Sequence, residues 1–113
     1  MSIVKQAVEK YDGRVVPWTC TRDVKVGDIV PLGSFVGIAV NTGLTGEVIS
    51  LEIEKVWTVT AATANVITVG AILYWDDTAK VMTTTDTDNT RAGIAMSAKP
   101  GATAGTIDVK INV

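Results

Sequence analysis

The sequence predicts an all-β fold: a small β-barrel or compact sandwich of two pseudo-repeated three-strand halves, with an N-terminal arm. Three observations carry this. The first is internal repetition. Val26-Gly27-Asp28-Ile29-Val30, then Gly37-Ile38-Ala39-Val40, then Gly46 ahead of the strand-like run 48–53 are echoed in order by Val69-Gly70-Ala71-Ile72-Leu73, Gly93-Ile94-Ala95-Met96 and the run 105–111 that opens on Gly105. The second is composition: 47% of residues are apolar but only 5% aromatic, so the apolar mass lies in Val, Ile and Ala among ten glycines and many threonines. Such a mixture favours strands and turns. The third is period-two alternation, clearest at the C-terminus, where Ile107, Val109, Ile111 and Val113 are predicted inward and Asp108, Lys110 and Asn112 outward. A chain of 113 residues is expected to form one domain, burying roughly two-thirds of the surface its unfolded form exposes.

The elements follow in chain order. In residues 1–13, Ile3, Val4, Ala7, Val8 and Tyr11 fit one helical face, but only Ser2 offers a cap and Asp12-Gly13 signals a turn. This stretch is expected to be an arm whose conformation its surroundings decide. Residues 14–19 read as a short strand, and Pro17, which cannot donate to a central ladder, places it at an edge. The first half, 14–60, continues through Ile29-Val30-Pro31-Leu32, a Gly33-Ser34 turn and the run 35–40. After a loop at 41–46, one long strand is predicted to set Ile49, Leu51, Ile53, Trp57 and Val59 against Ser50, Glu52, Glu54 and Thr58, with a bulge at Lys55-Val56. Small residues at 61–65 join the halves. The second half, 61–113, holds a hairpin over 74–82 that turns at 77–79, a Thr/Asp-rich loop from Thr83 to Thr90, and the final strand.

Reactive chemistry is sparse. The chain has no histidine and one cysteine, Cys20, so the usual Ser-His and Cys-His nucleophile pairs and His-ligated zinc are not encoded. Cys20 reads as a small buried or half-buried hydrophobe. The net charge of −2 is scattered over both signs, so the basic stripe that phosphate binding requires is missing and nucleic acid is not an expected partner. Neither a long apolar run nor a secretory leader pattern occurs, so no membrane partner is expected and the chain reads as soluble inside a cell. Asp76, Asp77, Asp86 and Asp88 lack calcium-loop spacing and read as turn carboxylates. Glu52 and Glu54 fall two apart on an outer strand face, without the desolvation that would separate an acid from a base. No phosphate-cradling Gly-x-x-x-x-Gly-Lys run is present. The residues therefore predict no enzyme, no catalytic or metal-binding group and no cofactor.

Lys80, in Ala79-Lys80-Val81-Met82 beside a hairpin turn, is where a biotinyl- or lipoyl-carrier reading would start. The Met-Lys-Met or Asp-Lys context of such lysines is missing, and a hairpin lysine reads as a solvated edge residue. Of the three tryptophans, Trp57 is expected in the core by its phase, whereas Trp18 lies on the edge strand that follows the arm and is a candidate anchor for a subunit contact.

The run 70–77 (Gly-Ala-Ile-Leu-Tyr-Trp-Asp-Asp), followed by Lys80-Val81-Met82-Thr83-Thr84 and Asn89-Thr90-Arg91-Ala92-Gly93-Ile94-Ala95-Met96, resembles the DUF2190 family of tailed-phage capsid cement, or head-decoration, proteins. Val26-Gly27-Asp28-Ile29-Val30 with Gly37-Ile38-Ala39-Val40 is similar to that family's first half. The resemblance runs from about Gly13 onward and rests on glycine and hydrophobic landmarks. It implies a structural protein made in the host cytoplasm that coats the outside of the expanded head. Its partners would be the major capsid protein and further copies of itself, as a trimer or alternatively a dimer; another virion or tail β component is the neighbouring possibility. The apolar residues outside the repeat, Ile3, Val4, Val8, Tyr11, Val15, Val16 and Trp18, are the expected contact to capsid or subunit.

Overall fold

Short runs of β-branched residues, cut by turns at positive φ, set the strand lengths in the computed structural model, which describes residues 12–113. Among these residues there are nine strands and no helix: β1 (Val15–Thr19), β2 (Ile29–Pro31), β3 (Val36–Ala39), β4 (Val48–Glu52), β5 (Val56–Ala61), β6 (Ile72–Asp76), β7 (Val81–Thr83), β8 (Thr90–Ala95) and β9 (Gly105–Ile111). β1 to β4 form a sheet in the order β1-β4-β3-β2, and β5 to β9 close a barrel in the order β5-β7-β6-β8-β9.

The repeat in the sequence is a repeat in the hydrogen bonds. Val24 and Gly43 exchange backbone bonds just as Ile67 and Lys99 do. Gly27 N–H donates to Ala39 O at 2.7 Å, and Gly70 N–H to Ala95 O at 2.8 Å. Both glycines sit at φ near 90°, a conformation in which a Cβ would be strained. Val16 pairs Leu51 as Trp57 pairs Val109, and Ile38 pairs Glu52 as Ile94 pairs Lys110.

The repeating units differ from the expected three-strand halves, since one holds four strands and the other five. The long strand expected over 48–59 is two. Lys55, at φ 85°, breaks it, and β5 leaves the sheet to pair β9, so the join falls at residues 53–55 rather than after residue 60. β7 has no counterpart in the sheet. Asp76 Oδ1 accepts the N–H groups of Thr78 and Ala79 and holds the turn that brings β7 back, where it pairs β6 antiparallel and β5 parallel and closes the barrel. In the sheet the matching turn is tight, with Leu32 N–H donating to Phe35 O, and the gap between β1 and β2 stays open.

Both open edges are blunted. Cys20 N–H donates to Glu47 O and Arg14 O accepts from Ile53, so by alternation the even-numbered residues of β1 face β4 and Pro17 faces the gap. The same parity on β2 turns Pro31 to the gap, because Asp28 O and Leu32 N–H are the groups that bond β3. Neither proline can donate to an added strand.

Two apolar clusters result. Val24, Val30, Ala39, Ile49, Leu51 and Cys20 fill the concave side of the sheet. Cys20 is a buried free thiol, as expected. Leu73, Trp75, Met82, Ala95, Ile107, Val109 and Ile111 fill the barrel, and the opposite face of the sheet contributes Ile29, Val36 and Ile38 to this second cluster. The sheet thus caps the barrel. Glu52, expected outward, is 7% exposed because it lies on that capping face, with Lys55 Nζ at 2.9 Å and Arg14 Nε at 4.0 Å from its Oε1.

The end of β9 also departs from simple alternation. Asn112, at φ 61°, turns into the junction, where its Oδ1 accepts Val36 N–H at 3.0 Å and its Nδ2 donates to Val36 O and Ile53 O at 2.7 and 2.8 Å. That turn leaves Val113, expected inward, 45% exposed. The loop expected from Thr83 to Thr90 shortens to 84–89, because Thr83 is buried in β7 and donates its hydroxyl to Asn65 Oδ1.

Candidate functional site

Of the expected contact residues, Ile3, Val4, Val8 and Tyr11 lie outside the described residues. Val15, Val16 and Trp18 are placed on β1, all half-buried. Alternation puts Val16 and Trp18 on the concave side, where they border the cluster around Leu51, while Val15 lies opposite Glu52 on the capping face. The structure therefore divides the expected patch between two faces of one strand.

The most elaborate polar cluster lies where sheet meets barrel. Arg22 Nη1 is 3.0 Å from Asp77 Oδ2, and its Nη2 donates at 3.0 Å to the open-edge carbonyl of Ile29. Asp77 Oδ1 accepts from Lys80 Nζ at 2.9 Å and from the Trp75 indole N–H at 3.0 Å. Burial alone would raise the Asp77 pKa, but the bonds from Lys80, Trp75 and Arg22 outweigh it and hold the carboxyl below its usual range. Beside this clasp runs a groove of about 490 Å³, lined by Ile29 and Ile38 on one side and Trp57, Val59 and Trp75 on the other. The arrangement ties two bodies together. Its acid is already matched by two cations, and Lys80, at φ 59° in the β6–β7 turn, is bound to it. No group of three or more His, Cys, Asp or Glu side chains is placed to hold a metal among the described residues.

A buried cation lies elsewhere in the barrel unit. Lys99 is 4% exposed and its Nζ donates to the carbonyls of Thr63, Asn65 and Pro100 at 3.2, 3.0 and 2.9 Å. It ties together the turns at 63–65 and 100–102. The matching position in the sheet is Gly43, where a Cβ would fall 2.6 Å from Ile49 Cγ2. Neither Arg22, Lys99 nor Asn112 stands in a sequence pattern that announces its partners, because most of them are brought from far along the chain.

The outer surface of the barrel carries the remaining feature. Ile72, Ile94, Lys110 and Val56 are successive cross-strand partners over β6, β8, β9 and β5. Ile72 and Val56 are 45% and 51% exposed, and Met96, 49% exposed, adjoins the row from the end of β8.

A family model described as phage cement protein matches residues 10–111. The chain belongs to the phage cement protein family. The match spans the sheet and the barrel together, from the approach to β1 to the end of β9. No curated protein and no solved structure matches the chain. Membership assigns a structural role and an association with the phage capsid.

Proposed function

We propose that this cement protein binds the outer surface of the expanded phage head and stabilises it against internal DNA pressure by bridging capsid subunits. The observation that supports this most is the family match over both units. The mechanism is mechanical. Packaged DNA pushes outward, and a cement oligomer that touches two or more capsid subunits adds interface free energy that must be lost before they separate. Each contact can be weak, because once one forms the next forms at high effective concentration.

The reading assigns the arm residues Ile3, Val4, Val8 and Tyr11, with Val15, Val16 and Trp18 on β1, to contacts with capsid and neighbouring copies in a homotrimer. Their apolar character supports the assignment. The blunted edges at Pro17 and Pro31 fit a protein that docks through side chains rather than by strand addition. Deletion of residues 2–12 tests the arm directly. Loss of binding to expanded heads, with β-sheet circular dichroism retained, is the expected result; undiminished binding refutes the assignment.

A further inference from the structure

We propose that copies of this chain associate head to tail by repeating, between molecules, the interface that joins sheet to barrel within one molecule. The inference stands on the internal repeat and not on the capsid reading, so the two can fail separately.

The argument compares equivalent positions. On the capping face of the sheet the cross-strand row is Ile29, Ile38, Glu52 and Val15. Ile29 and Ile38 are 8% and 2% exposed because they seat on the barrel beside Trp57, Val59 and Trp75. On the barrel the row in the same register is Ile72, Ile94, Lys110 and Val56, and nothing among the described residues covers it. The two isoleucines recur as isoleucines and the valine as a valine. A face that serves as a cap in one unit is therefore presented free by the other.

The receiving surface is duplicated as well. Trp57 and Val59, opposite Val109 and Ile107, correspond to Val16 and Trp18, opposite Leu51 and Ile49. Trp75 near the end of β6 corresponds to Leu32 just after β2. Val16, Trp18 and Leu32 border the sheet's own cluster and remain half-buried. Among the described residues one chain thus holds one used pair of surfaces and one unused pair, which is the condition for heterologous association. The occupant of the Val16–Trp18–Leu32 surface is accordingly the Ile72–Ile94–Val56 face of a second copy. If three copies close a ring, six equivalent units stand round one axis.

The experiment measures mass by native mass spectrometry and light scattering on the full chain, with Ile72→Glu and Val56→Glu as test variants and Val66→Glu, at an exposed loop position, as control. An oligomer in the wild type and the control, and a monomer in both test variants, is expected. A monomeric wild type, or an oligomer that survives both test substitutions, overturns the proposal. Polarity is read by mixing Ile72→Cys with Leu32→Cys proteins and adding a short bis-maleimide, since the native Cys20 is buried. Covalent dimers confined to the mixture are expected. Dimers formed equally by Ile72→Cys alone signify a two-fold contact and overturn it.

Discussion

Asn112 is the residue through which the junction between sheet and barrel is most open to measurement. Its side chain makes three hydrogen bonds to main chain that the other unit supplies, two of them to Val36, which is fully buried. Asn112→Gly removes all three while keeping the positive φ unstrained. At about 1 kcal/mol net per bond the loss is about 3 kcal/mol. That is a large share of the roughly 5–15 kcal/mol typical of a domain. Asn112→Ala should cost about 1 kcal/mol more, because an alanine is forced into the left-handed region. With a urea m-value of about 1–3 kcal/mol/M, the glycine variant's unfolding midpoint should fall by one to a few molar, followed by tryptophan fluorescence. The Val36 amide should exchange with solvent much faster. A loss below about 0.5 kcal/mol in the glycine variant, or an alanine variant no worse than the glycine one, refutes the reasoning that this side chain clasps the two units.

Three further predictions concern the other long-range contacts. Lys99→Met keeps most of the apolar stem but leaves three carbonyls without a donor, so thermal stability should fall by the equivalent of about 2–3 kcal/mol in calorimetry. Gly93→Ala would place a Cβ against the Lys110 carbonyl and 2.9 Å from Ile111 Cα; opening the β8–β9 ladder should cost several kcal/mol, roughly 3 or more, and show as insoluble expression or an early melt. Asp77→Asn should change stability at neutral pH by less than about 1 kcal/mol, since the carboxylate is partly exposed. Because its folded pKa lies below the ordinary value of 3.8, the unfolded chain binds the proton first. The Asp77 contribution is therefore fully present above the carboxylate range and fades as pH falls through the folded pKa, and the variant should show a flatter stability profile in that acid window.

The repeat was legible because turn glycines and alternating Val and Ile are local signals, and Gly27, Gly70 and the 105–111 strand carry them plainly. What could not be read was which face of a strand would meet the other unit. Glu52 looks solvated by alternation and is buried, because both faces of the sheet carry buried residues and alternation reports only one. Lys55 was readable as an irregularity but not as a crossing from sheet to barrel, since a bulge and a break share one sequence pattern. Lys99 and Asn112 look like ordinary surface residues; apart from the neighbouring Pro100 carbonyl, their partners are supplied by residues 34 to 76 positions away in the chain. The Arg22–Asp77 clasp is hidden for the same reason, with 55 residues between its members.

The claim that the chain is cement is tested most directly by adding the purified protein to expanded heads that lack decoration. The account predicts saturable binding at a fixed number of copies per capsid subunit, together with increased resistance of the heads to heat and to osmotic rupture. Binding that never saturates, or saturation that leaves head stability unchanged, would contradict it.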